Sequence, residues 1–294
     1  MKPVAAEEWM ETARSRAVEA ARHFRLPFRN RNWRGAAGNW AGAGVGSSID
    51  FQDHRPYIAG DDPRYINWQA FARTGAYTMK LYREEVSPQV DLVLDTSTSM
   101  FHRPAKRARS WELFLFCLES ALRSQAALRA WFVTGNECRE ARREAIEQGL
   151  PELPESSADD TPSLSLHGVP WRRNALRVFI SDLLDPRGGE KVFPSLSSEN
   201  STSLLLAPYC REEENPAWNG NVELIDCESG ERRIQFFSAN LLERYRRDYR
   251  RHFELAAEDA RRHRVMLVRL SSEDALLEAL RKQALPAGAV EPWD

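Results

Sequence analysis

Apolar and polar positions along the chain follow two different patterns. From about Glu7 to His23, Trp9, Ala13, Val18 and Ala21 recur near one side of a helix, and the pattern stops at Leu26-Pro27. Phe28 to Ser48 is rich in Gly, Asn, Arg and Trp and reads as loop and turn. A strand or hairpin arm is expected over Ile49–Tyr57, a turn at Gly60–Arg64, a short helical piece over Trp68–Arg73 and a strand over Tyr77–Tyr82. From Val90 onward, short apolar runs alternate with longer amphipathic ones. Strands are expected at Val90–Leu94, Ala130–Val133, Leu176–Ser181, Ser203–Leu206 and Val265–Leu270, with a hairpin over Val222–Phe236. Helices are expected at Lys106–Leu128, Glu137–Gln148 and Glu273–Arg281. A further long helix, N-capped by Ser238 and running to about His263, turns Leu242, Tyr245, Tyr249, Phe253 and Ala256 inward. This alternation predicts an α/β fold, a doubly wound, mostly parallel sheet with flanking helices, plus an N-terminal helix and a small β/loop extension. The expected divisions are 1–88, 89–285 and a tail at 286–294.

Composition narrows the function classes. The 294 residues include 41 basic and 43 acidic side chains, so a formal charge of -2 supplies no overall attraction to nucleic acid or anionic membrane. Lys occurs only at positions 2, 80, 106, 191 and 282, and the remaining basic residues are Arg. Cys117, Cys138, Cys210 and Cys227 are scattered without a C-x-x-C pair, which argues for a reducing compartment rather than a disulfide or zinc scaffold. No leader or membrane span is visible in the pattern, so a cytoplasmic protein is expected.

Two strands end in carboxylates. The run Leu92-Val93-Leu94 delivers Asp95-Thr96-Ser97-Thr98-Ser99, and Val178-Phe179-Ile180-Ser181 delivers Asp182. In open α/β sheets the ligand crevice lies at the carboxyl ends of the strands, near the point where the strand order reverses. Asp95, Ser97, Ser99 and Asp182 could gather there as a hard-oxygen cage suited to Mg²⁺ or Mn²⁺. The plainer alternative makes the same residues turn and cap groups.

Asp95-Thr96-Ser97-Thr98-Ser99 resembles the metal-ion-dependent adhesion site of von Willebrand factor A domains. Upstream, Tyr57-Ile58-Ala59-Gly60-Asp61-Asp62-Pro63-Arg64-Tyr65-Ile66-Asn67-Trp68 resembles the signature of the domain-of-unknown-function family 58, and Ile180-Ser181-Asp182-Leu183-Leu184-Asp185 is similar to that family's later strand end. The likeness runs from about Gly44 to Leu280. It implies a von Willebrand A-like fold and an interaction role beside a MoxR-type AAA+ ATPase or that enzyme's client. It also implies metal ligation by Asp95, Ser97 and Ser99, with Asp182 a ligand directly or through water. Three departures stand out. Asn67 replaces the usual Asp, and the paired membrane helices of many relatives are missing. The loop Thr of the adhesion site is not evident either, Thr134 and Thr161 being the nearest candidates.

Other motifs contribute less. Gly42–Ser48 lacks the Lys of a phosphate loop. An aspartyl-nucleophile phosphatase would need a second Asp where Ser97 stands, and the six histidines form no ligand motif. The chain is therefore read as a non-enzymatic interaction protein. A metal-dependent phosphoester hydrolase is the first alternative, and an RNA-binding adaptor using Arg22–Arg34 the second. The Gly60, Asp61, Asp62, Pro63, Arg64 and Trp68 block is read mainly as a structural turn, with Trp68 packed on a sheet.

Overall fold

The alanines of the first amphipathic run have a direct structural use. Val4–His23 forms a helix (α1) whose buried stripe is Ala13, Ala17, Ala20 and Ala21, small side chains that let another helix approach closely. Val18, expected on that face, is only half-buried. The computed structural model describes residues 4–28, 37–45, 51–147, 164–185, 188–197, 202–227 and 230–293. They divide into two compact units, Phe28–Pro88 and the remainder of the chain. A two-residue strand, β1 (Phe24–Arg25), follows α1.

The smaller unit is a three-stranded antiparallel sheet. Its strands are β2 (Ala37–Val45), β3 (Phe51–Pro56) and β4 (Thr78–Val86), in the order β2-β4-β3. Between β3 and β4 lie a single 3₁₀ turn at Pro63–Tyr65 and helix α2 (Trp68–Thr74). Asn67 caps α2 by accepting from the Ala70 amide at 3.1 Å, and Gly75 ends it with φ 70°.

The larger unit continues with β5 (Gln89–Asp95), α3 (Thr98–His102), α4 (Pro104–Arg123), β6 (Ala127–Thr134), β7 (Glu137–Glu140) and α5 (Arg143–Glu147). After these come β8 (Leu176–Ile180), α6 (Gly188–Leu196), β9 (Ser203–Tyr209), α7 (Arg211–Glu214) and the hairpin β10 (Gly220–Ile225) and β11 (Arg232–Phe237). The chain closes with α8 (Ala239–Arg262), β12 (Val265–Ser271), α9 (Leu276–Ala279) and β13 (Glu291–Pro292). Six strands form the central sheet in the order β12-β9-β8-β5-β6-β7, all parallel except the edge strand β7. The expected α/β architecture with a mostly parallel sheet is thus observed.

Residues of alternate parity on each strand face opposite layers. Val93, Trp131, Val133, Phe179, Leu205 and Ala207 form a core with α6 and α8, to which α8 contributes Tyr249, Phe253, Ala256 and Ala260. On the other face Phe132 meets Trp111 and Phe114 of α4 at ring-centroid distances of 6.5 and 5.3 Å. The central helix α4 is in turn covered by α1, and the Ser120 hydroxyl accepts from the Leu26 amide at 2.7 Å where the chain leaves that layer. Residues 286–294, a tail by sequence, include β13, which pairs with β1, and Trp293, whose indole donates to the Ala21 carbonyl at 2.7 Å.

Three element assignments are corrected. Ala37–Val45, within the stretch read as loop and turn, is the strand β2, made so by antiparallel pairing with β4. The helix expected at Glu137–Gln148 begins instead as the strand β7, because pairing of Trp131 with Glu140 and Thr134 with Glu137 outweighs helix propensity; only Arg143–Glu147 is helical. Charged side chains suit that position, since β7 is an edge. The helix expected at Lys106–Leu128 starts earlier, with Pro104 in its first turn, and ends at Arg123. There Gln125 takes a left-handed φ of 54° and frees Ala127 to start β6. The stretch Pro151 to Pro170, rich in Pro, Ser and Asp and read from its composition as a long loop, lies largely outside the described residues.

Candidate functional site

The central strands β5 and β8 are neighbours in parallel register, Leu94 opposite Ile180, so Asp95 and the Ser181-Asp182 pair leave the sheet side by side. The chain crosses from β5 to β6 on one flank and later returns to β8 on the other. The order therefore reverses between β5 and β8, where a crevice opens in folds of this kind.

Asp95 is buried and doubly held. One carboxylate oxygen accepts from the Ser97 amide at 2.9 Å and the other from the Ser181 hydroxyl at 2.7 Å. Burial, followed by the charge of Asp182, pushes its pKa up to about 7; the Ser97 and Ser181 donors oppose that rise only in part. Asp182 thus lies close enough for its charge to act on Asp95.

Ser97 stands at the N-terminus of α3, yet its side chain makes no capping bond. Its hydroxyl lies 3.2 Å from that of Ser99, and both residues are half-buried. That spacing resembles two neighbouring ligands of an octahedral ion, about 3 Å apart when metal–oxygen bonds are about 2.1 Å. Among the described residues no group of three or more His, Cys, Asp or Glu could hold a metal ion, so an ion here would depend on these hydroxyls as well as on Asp95.

Asp182 has a partner of its own. Its Oδ2 receives the Lys106 ammonium at 2.8 Å, and its Oδ1 accepts from the Leu184 amide at 3.0 Å. Its amide is directed at the Met100 sulfur, 3.2 Å away. Lys106, in the first turn of α4, also meets Glu213 Oε1 of α7 at 2.5 Å. The Lys106 side chain is 1% exposed. Burial lowers its pKa, but the Asp182 and Glu213 charges outweigh burial and hold it above the ordinary lysine value. Leu183, next in the chain, takes a left-handed φ of 57° while buried, and its carbonyl lies 2.7 Å from His252 Nε2.

Asp95, Ser97 and Ser99 are therefore brought together, with Asp182 beside them. Thr134 is engaged with Thr96, the two hydroxyls 2.6 Å apart; Thr161 lies outside the described residues. His102 is exposed at the end of α3. Sequence reasoning missed Lys106, Glu213 and Ser181.

The Gly60–Trp68 block belongs to the smaller unit. The Arg55 guanidinium donates to both oxygens of Asp61 at 2.6 and 2.7 Å, and Asp61 also accepts from the Ile58 amide at 2.9 Å. Asp62 accepts from the Arg64 amide and pairs with its guanidinium. Asn67, besides capping α2, places Nδ2 2.6 Å from His54 Nε2. Trp68 corrects an expectation: it is 57% exposed and makes edge contacts with Phe71 and Tyr77 instead of packing on the sheet.

No helix among the described residues is long and apolar enough to cross a membrane. Neither the curated proteins nor the solved structures include a match to this chain. A family model described as "Protein of unknown function DUF58" matches residues 53–263, from β3 in the smaller unit to the end of α8 and across both carboxylate-bearing strand ends. With most of its length matched in this way, the chain belongs to the DUF58 family.

Proposed function

We propose that the larger unit is a von Willebrand A-like domain and that the protein is a non-enzymatic interaction module. The observation that carries this reading is the convergence of the Ser97 and Ser99 hydroxyls beside buried Asp95, at the point where the strand order reverses. Asp95, Ser97 and Ser99 are hard oxygen donors that fit Mg²⁺ or Mn²⁺, and Asp182 stands beside Asp95. When bound, such an ion would act as the Lewis-acidic acceptor for an Asp or Glu carboxylate of a partner.

The chain's own residues prepare that surface. Ser181 orients Asp95, the α3 turn presents both hydroxyls, and the buried strands keep the arrangement rigid. A sheet whose only antiparallel member is the edge strand supports the von Willebrand A-like assignment. Resemblance to the family directs the choice of partner to a MoxR-type AAA+ ATPase or its client.

Calorimetric titration of Mg²⁺ and Mn²⁺ into the wild type and Asp95→Ala tests the cation site. Saturable binding in the wild type that is lost in the variant is expected. The same heats in both proteins would remove the cation from the mechanism. Capture of the ATPase that chelator abolishes would extend the result to the partner.

A further inference from the structure

Lys106 places a full positive charge beside a crevice that is read here as a cation site. Asp182 stands beside Asp95, and Lys106 bridges Asp182 and Glu213 at 2.8 and 2.5 Å. The side chains of Lys106 and Asp182 are 1% and 5% exposed, so little water screens the pair.

We propose that Lys106 is a positioning residue that reserves Asp182 for itself, so that a divalent ion at Asp95, Ser97 and Ser99 is ligated directly by one carboxylate and stays able to take a partner's carboxylate. The inference rests on the cation-site reading above. Were both aspartates free to ligate, two negative charges would neutralise the ion, and its pull on an outside carboxylate would fall. With Asp182 committed to the ammonium, Asp95 is the one carboxylate of this cluster left to ligate the ion directly, so the ion keeps more of its pull than two ligating carboxylates would leave it. Glu213 completes the device, because it shares the ammonium and limits how far Lys106 repels an incoming cation. The geometry allows this division of roles: the Lys106 contact uses Asp182 Oδ2, while Asp95 is held separately by Ser97 and Ser181.

The test is calorimetric titration of Mn²⁺ into four full-length proteins, namely wild type, Asp95→Ala, Lys106→Met and Glu213→Gln, each checked for folding by circular dichroism. Lys106→Met should bind Mn²⁺ tenfold or more tightly than wild type, since it removes a nearby positive charge and releases Asp182. Glu213→Gln should shift affinity the other way, because the ammonium then loses one of its two counter-charges. It also keeps the inference open to refutation if Lys106→Met fails to fold. A folded Lys106→Met with unchanged or weaker Mn²⁺ affinity would overturn the proposal, and so would unchanged or tighter binding by Glu213→Gln. In either case, loss of binding in Asp95→Ala would still uphold the cation site. Binding by Lys106→Met but not by wild type would overturn both the cation site and the proposal, since no ion would then be held beside Lys106 in the native protein. Silence in all four proteins would end both ideas.

Discussion

The Ser181 hydroxyl donates to Asp95 Oδ2 at 2.7 Å, joining the ends of the two central strands at the crevice. The same oxygen accepts from the Leu183 amide at 3.3 Å, so one small side chain serves both the carboxylate and the turn that carries Asp182. Ser181 is itself buried. Ser181→Ala leaves a buried carboxylate oxygen and an amide each short of a partner, which costs about 1–3 kcal/mol. Urea denaturation should show a lower midpoint with an unchanged slope. A variant as stable as wild type would mean that Asp95 finds another donor.

How much of this could be read in advance depended on how local the cause was. A run such as Leu92-Val93-Leu94 followed by Asp95 declares both a buried strand and the carboxylate at its end, because strand burial and turn chemistry act over a few residues. Ser238 was legible as a cap for the same reason, accepting from the Leu241 amide at 3.3 Å. Lys106 was not. It begins the run Lys106-Arg107-Ala108-Arg109, which by composition is a solvated helix start, and its burial depends on Asp182, 76 positions away, and on Glu213 of α7. The edge strand β7 failed on similar grounds, since its charged residues favour helix until β6 is there to pair with. Exposure of Trp68 was hidden too, because an indole beside a turn looks the same in sequence whether it covers a sheet or gathers with Phe71 and Tyr77 at the surface.

The Arg55–Asp61 pair supplies a test of the smaller unit through pH. Hydrogen bonds from Arg55, then the Ile58 amide, lower the Asp61 pKa to about 2. An acid whose folded pKa is depressed stabilises the fold above its unfolded value and loses that contribution as pH falls through the folded one. The loss therefore runs between about pH 4 and pH 2. An NMR titration of the Asp61 carboxyl should give a midpoint near 2 in wild type. Arg55→Met should raise that midpoint toward the usual aspartate range. Equal midpoints in the two proteins would show that the guanidinium does not hold the turn in solution.

Left-handed backbone provides the last prediction, because two residues share the same dihedral in opposite surroundings. Arg264 has φ 56° between His263, the residue that ends α8, and Val265, the first of β12. Leu183 has φ 57° immediately after Asp182. For a residue with a Cβ this conformation costs about 1–2 kcal/mol, a strain that glycine does not bear. Arg264 is exposed, so Arg264→Gly loses little packing. After the extra freedom of glycine in the unfolded chain is counted, a gain of about 0.5–1 kcal/mol is expected, while Arg264→Ala, which keeps the strain, should show none. Leu183 is 3% exposed within the core that α8 covers. Its replacement by glycine relieves the same strain but empties a leucine-sized space, a loss of about 2–5 kcal/mol that outweighs the gain. Urea midpoints should therefore move up for Arg264→Gly and down for Leu183→Gly. If both moved in the same direction, the conformation at one of these turns would not be the strained one described.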